Sequence, residues 1–214
     1  MVLDDADVEA AAETAAQARN LNSGQSCIAA KRHIVHEDVY EEFLKAFVGE
    51  VNDMTVGDPS QEDTDVGPQA RGDLRDELHA QVKASIEAGA TIETGGEIPD
   101  GDGYYYPPTV LTDVPEACPV ANEEVFGPVA AVFPVSDEDE AVELANSSRY
   151  GLGASVWTKD LRRGEELTRR IDAGMTFVNS LVRSDPRLPF GGVKESGYGR
   201  ELAADGIREF TNKK

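Results

Sequence analysis

Positive charge is scarce in this sequence: 20 lysines and arginines face 41 aspartates and glutamates, for a formal net charge of −21. A nucleic-acid backbone would be repelled by that field, which excludes nucleic acid as a partner. Long apolar runs are missing too. None approaches the roughly 20 residues that a bilayer-crossing helix needs. The opening stretch MVLDDADVEA has neither the basic end nor the apolar core of a secretory leader. The expectation is therefore a cytoplasmic protein with no membrane partner. Two cysteines, Cys27 and Cys118, are too few for a disulfide framework and read as free thiols. Histidine is rare as well, with three in the chain. His33 and His36 lie three apart in a predicted strand and so point to opposite faces, where they cannot share an ion. Both are read as surface residues, and no metal site is expected.

What is present describes a globular domain. Hydrophobic residues make up 40% of the 214 positions and are spread evenly, enough for one sizeable core. The acidic residues are also scattered rather than gathered in a tail. That pattern suits a protein adapted to concentrated salt, where like-charge repulsion is screened within a few ångströms. An ordinary acidic cytosolic protein is the other reading.

Hydrophobic periodicity sets out the elements. Asp4 and Asp5 offer capping oxygens to a helix through ADVEAAAETAAQARNL. KRHIVH reads as a strand, and EDVYEEFLKAFVGEV as a helix with Val39, Phe43, Phe47 and Val51 on one face. GDPSQEDTDVGPQ is a loop, ARGDLRDELHAQVKASIEAG an amphipathic helix, and ATIETGG a strand entering a turn. YYYPPTVLTDV and GPVAAVFPV are extended. DEDEAVELANSS and LRRGEELTRRIDAG are helices, with GASVWTK and MTFVNS as strands. This order predicts an α/β fold with a mostly parallel twisted sheet flanked by helices.

Three stretches bear on chemistry. In NLNSGQSCIAA, Cys27 follows a turn-forming Asn-Ser-Gly and opens onto apolar Ile28, Ala29 and Ala30. A thiol there is either core filler, the commoner fate of a free cysteine, or a group held by the core and facing a cleft. In NEEVFGPVAAVF a carboxylate pair abuts Phe126 and a turn forced by Gly127-Pro128. It is either a solvated acidic turn or a device in which one carboxylate grips sugar hydroxyls beside a flat ring. GVKESGY has two glycines at the spacing of a phosphate loop, but Tyr198 stands where the lysine belongs. Its glycines are read instead as allowing a tight backbone path. Asn146-Ser147-Ser148 matches a glycosylation acceptor, which carries no weight without a secretory signal.

NSGQSC, EEVFGPV, NSSRYGLGASVWTKD and LPFGGVKESGYGRE, taken together and in this order, resemble signatures of the aldehyde dehydrogenase superfamily. The resemblance covers essentially the whole chain. It implies that Cys27 is the nucleophile, attacking an aldehyde carbon, passing hydride to NAD or NADP and leaving a thioester for hydrolysis. The Cys27 N–H would then supply one donor to the oxyanion. Glu124 matches the residue that binds the nicotinamide ribose, Phe126 the ring beside it, and Phe190 a wall of the aldehyde tunnel. Cys118 matches no catalytic position and is read as structural. AAKRHIVHE, DLRDELHAQV and SDPRLPFGGVKESGYGREL resemble the succinate-semialdehyde dehydrogenase branch. Some of those enzymes hold the substrate carboxylate with an arginine where this chain has Leu21, and Arg183 and Arg187 are the substitutes proposed here.

A whole member of the superfamily is more than twice as long. The resemblance assigns residues 1–214 to the catalytic domain, with the N-terminal dinucleotide-binding domain and the general base absent. The expected partners are a small-molecule aldehyde and either the missing N-terminal half or a second copy. The alternative is a non-catalytic remnant or interaction domain of the same fold.

Overall fold

The computed structural model describes residues 1–212 and 214. Its first half contains α1 (Val8–Asn20), β1 (Arg32–His36), α2 (Glu37–Asn52), α3 (Gly72–Glu87), β2 (Thr91–Thr94) and β3 (Thr109–Thr112). Then come α4 (Pro119–Asn122), β4 (Val129–Val135), α5 (Glu138–Asn146), β5 (Tyr150–Gly151) and β6 (Gly153–Val156). The last elements are α6 (Leu161–Thr168), β7 (Met175–Val178), β8 (Val193–Lys194) and α7 (Ala203–Glu209).

The main sheet runs β1-β4-β3-β2, with β1, β4 and β3 parallel and β2 antiparallel at the edge. A second parallel pair, β6 and β7, is joined to it by the chain's first residues. Val2 bridges both Val35 and Trp157 in parallel register. Its N–H donates to the Ile34 carbonyl at 2.8 Å, and the Leu3 N–H to that of Trp157 at 3.0 Å. The predicted mostly parallel sheet is thus present, drawn from strands far apart in sequence.

The sheet is covered on both faces, which explains why β4 is an almost unbroken apolar run. Side chains alternate across it. Ala130 and Val132 of β4 and Val110 of β3 pack with α1 and α2, while Val129, Ala131, Phe133 and Leu111 pack with α3 and α4. Val39, Phe43, Phe47 and Val51 are all buried, as their spacing predicts. Ala11, Ala12 and Ala16 let α1 lie close against that stripe.

Several local expectations need correction. Asp7 caps α1, accepting from the Ala10 N–H at 3.2 Å, and neither Asp4 nor Asp5 does so. Asp5 instead accepts from the Thr158 hydroxyl at 2.7 Å and from Arg163 at 3.1 Å, while Asp4 meets the same arginine at 2.6 Å. Arg163 also pairs with Glu138, so one guanidinium ties the N-terminal segment to α5 and α6. His33 is not on the surface. It lies 6% exposed under α2, its ring 4.8 Å from that of Phe47. Burial, with the nearby charge of Arg19, holds the imidazole neutral and pushes its pKa down to about 3. His36 is half-buried and caps α2 by accepting from the Asp38 N–H at 3.2 Å. The short α4, β5, β8 and α7 have too few residues to show a period.

Candidate active site

Cys27 sits just beyond α1 in a turn closed by the Ala29 N–H donating to the Ser26 carbonyl at 3.0 Å. Getting there requires a sharp reversal. Asn22, Ser23 and Gly24 take three successive left-handed conformations, with φ of 53°, 56° and 72°. Such backbone costs about 1 kcal/mol or more per non-glycine residue and persists only when its surroundings fix it. Here the fixing groups are visible. The Ser23 hydroxyl accepts from the Gly67 N–H at 3.0 Å, and Gln69 Nε2 donates to the Ser23 carbonyl at 3.2 Å. Gln25 Oε1 accepts from the Ala70 N–H at 2.8 Å. Arg19, 2% exposed, donates from Nη2 to the Gly24 carbonyl at 2.8 Å. The outcome is an exposed Cys27, while Cys118 is buried at 2% exposure. Among the described residues the Cys27 N–H donates to no acceptor, so it is free to serve something in the cleft.

That cleft has a volume of about 470 Å³ and is lined by Cys27, Glu124 and Phe126 among others. The Glu123–Glu124 turn is pinned from two sides. Gln81 Nε2 donates to the Glu123 carboxylate at 3.0 Å and to the Glu124 carbonyl at 3.1 Å, and Lys31 Nζ donates to the Glu123 carbonyl. The Glu124 carboxylate is left without a hydrogen bond among the described residues, beside a Phe126 ring that is 42% exposed. A free carboxylate can accept from the hydroxyls of a sugar, and the open aromatic face beside it can wall a flat ring, so these residues fit the ribose and base of a nicotinamide.

The cleft is cationic within an acidic protein. Arg19 and Lys31 both line it, and neither has a carboxylate partner within salt-bridge distance among the described residues. Burial pushes Arg19 down to about 10 and leaves its Nε without a partner. Lys31 is pushed down to about 8 by burial first, then by the charges of Arg32, Arg19 and Arg149, with Glu124 acting the other way.

The remaining expected residues lie apart from this lining. Phe190 is half-buried and pairs through its backbone with Glu201, at 2.8 and 2.6 Å. Arg187 is held by Asp185 through contacts of 2.9 and 2.6 Å, and that pairing keeps the Asp185 carboxyl far below its usual range. Arg183 is exposed, and none of the three lines the cleft with Cys27. In the last glycine-rich stretch, a Cβ on Gly192 would meet Ser196 at 2.5 Å, in keeping with a tight backbone path. The sequence reading missed Arg19, Lys31, Gln25, Gln69 and Gln81. Their signal is weak, since a polar residue that braces a distant loop looks like any surface residue. Among the described residues no helix is long and apolar enough to cross a membrane.

The aldehyde dehydrogenase family profile matches residues 1–214. Succinate-semialdehyde dehydrogenase [NADP(+)] 1 of Mycobacterium tuberculosis is 50% identical over 212 residues, covering 99% of this chain and 46% of the relative. The corresponding NADP(+) enzyme of Mycobacterium avium is 49% identical over 214 residues, covering all of this chain and 45% of its own length. The chain therefore spans about half the length of these relatives. Among solved structures, that of Gox0499 superposes with a TM-score of 0.97 at 43% identity, over 100% of this chain and 47% of that one. Betaine aldehyde dehydrogenase from Staphylococcus aureus, in complex with NAD+, gives 0.94 at 33% identity, over 98% and 42%.

Proposed function

The chain belongs to the aldehyde dehydrogenase family, and from that premise we propose that residues 1–214 form the catalytic domain of an NAD(P)-dependent enzyme oxidising succinate semialdehyde. The observation that carries the proposal is the exposed Cys27, held by a braced left-handed turn at the edge of a cleft that also contains Glu124 and Phe126.

In this reading the Cys27 sulfur adds to the aldehyde carbon, and the free Cys27 N–H donates to the oxygen that becomes negative. Glu124 would accept from ribose hydroxyls and Phe126 would wall the ring, which would place the reacting carbon and the cofactor in one cleft. When bound, NAD or NADP supplies the acceptor for the hydride that leaves that carbon. Cys27 then carries the acyl group as a thioester until water releases the acid. Support for the substrate comes from the two mycobacterial relatives, named succinate-semialdehyde dehydrogenases. Support for either cofactor comes from the NADP(+) in those names and the NAD+ of the staphylococcal complex. Phe190, Arg183 and Arg187 enter the proposal as the substrate side through their motif. Of the two arginines, Arg183 is the stronger candidate, because Asp185 already occupies Arg187.

The test is a chimera in which residues 1–214 replace the matching stretch of the M. tuberculosis relative. Reduced cofactor formed from succinate semialdehyde, and lost in Cys27→Ala, is the expected result. A folded chimera without turnover, or one whose turnover survives Cys27→Ala, overturns it.

A further inference from the structure

We propose that Lys31 is a second nucleophile of the cleft, one that captures carbonyl compounds reversibly as an imine. The proposal rests on the reading above only in supposing that aldehydes enter this cleft. Lys31 stands four residues after Cys27, immediately before β1, and lines the same cavity. In a chain with 41 acidic residues, none lies within salt-bridge distance of its ammonium among the described residues.

The charged groups around it come from every side. Arg19 approaches from α1, Arg32 is its neighbour on β1, and Arg149 lies on the turn before β5. Glu124 is the one carboxylate among the charges that act on it. Among the described residues its polar contact is the Glu123 carbonyl, a neutral acceptor that brings no opposing charge. A desolvated lysine beside other cations is the standard way in which an amine becomes nucleophilic near neutral pH. Here the ammonium is half deprotonated at about pH 8.

The chemistry needs no oxidant. The neutral Nζ adds to the carbonyl carbon, and a proton moves from nitrogen to the oxygen. The carbinolamine then expels water and leaves a carbon–nitrogen double bond. Water reverses every step. An aldehyde held this way is withheld from Cys27, so the adduct opposes turnover when aldehyde is abundant.

The experiment treats the chain with succinate semialdehyde and cyanoborohydride, which reduces imines to stable amines, and maps the labelled lysines by mass spectrometry. At pH 8 Lys31 is expected to be labelled on the order of tenfold faster than exposed Lys45 or Lys83, which lie outside the cleft. Its advantage over them should shrink as pH rises through 9 and above, and Glu124→Gln should move its midpoint below that of the unaltered chain. Cys27→Ser should leave the labelling intact, which separates this proposal from the catalytic role of the thiol. Equal labelling of Lys31 and Lys45 at pH 8, or loss of the Lys31 label in Cys27→Ser, overturns it.

Discussion

Gly24 lies directly against Gly127: a Cβ added to Gly24 would come within 2.2 Å of the Gly127 carbonyl carbon and oxygen. The turn that presents Cys27 and the turn that presents Glu124 and Phe126 are thus packed backbone to backbone. Neither can move without the other.

Gly24→Ala should therefore damage both turns together. A φ of 72° alone disfavours alanine by about 1–2 kcal/mol, and the backbone collision adds to it. The expected loss is at least about 2 kcal/mol, seen as a fall in Tm of roughly 4–8 °C for a domain of this size. A melting curve that superposes on that of the unaltered chain would contradict the arrangement.

Cys27 should react with iodoacetamide well before Cys118 in the folded protein. Alkylation follows access as well as thiolate fraction, and the exposed and buried positions of the two thiols set the order. Peptide mapping after partial modification gives the answer, and Cys118 labelled first would sink the assignment.

His33 makes stability depend on pH with a definite sign. Its pKa is about 3 when folded and near 6.5 when unfolded, so between those values the unfolded chain binds more protons. Its contribution is fully present above pH 6.5 and is lost, by up to about 1.4 kcal/mol per pH unit, as pH falls toward 3. Other groups titrate in the same window, so the measurement is a comparison with His33→Leu by urea unfolding. The stability difference between the two proteins should be level above pH 7 and should move steadily in favour of the leucine variant below 6. A constant difference would place the imidazole in water.

Salt should stabilise this fold. The net charge of −21 works against the compact state in dilute buffer, and α5 alone opens with Glu138, Asp139 and Glu140 in succession. Tm is expected to rise between low and molar potassium chloride, and further in sulfate, which also strengthens apolar burial. No change across that range would leave the acidic surface without a role in stability.

A polypeptide of residues 1–214 alone should form no measurable reduced cofactor from succinate semialdehyde, even with NAD at millimolar levels. In the proposed reading Glu124 and Phe126 would meet only one end of a dinucleotide, too little contact for saturation. Reduced cofactor from the isolated chain, at a rate abolished by Cys27→Ala, would show that these contacts suffice.

Much of this was readable in advance because the signals are local. The spacing of Val39, Phe43, Phe47 and Val51 sufficed to place α2 and its buried face. The Asn-Ser-Gly stretch reads as a turn before Cys27, though its three left-handed residues were not foreseeable from it. What escaped was set by distant partners. His33 is buried because Phe43 and Phe47 close over it, and Asp5 is drawn from a cap by Thr158 and Arg163, more than 150 positions away. Gln69 braces Ser23 from 46 positions away, a relationship with no trace in either stretch alone.

The bridge formed by Val2 between Val35 and Trp157 also has a kinetic meaning. The Trp157 side of this bridge cannot be completed until more than 150 further residues exist. Until Trp157 exists, the Met1 carbonyl and the Leu3 N–H on the far side of Val2 stay unpaired and open to pairing with another molecule. Pairings of such long range are slow to form. The net charge of −21 sets like-charge repulsion between copies against such pairing, before the fold is complete as well as after.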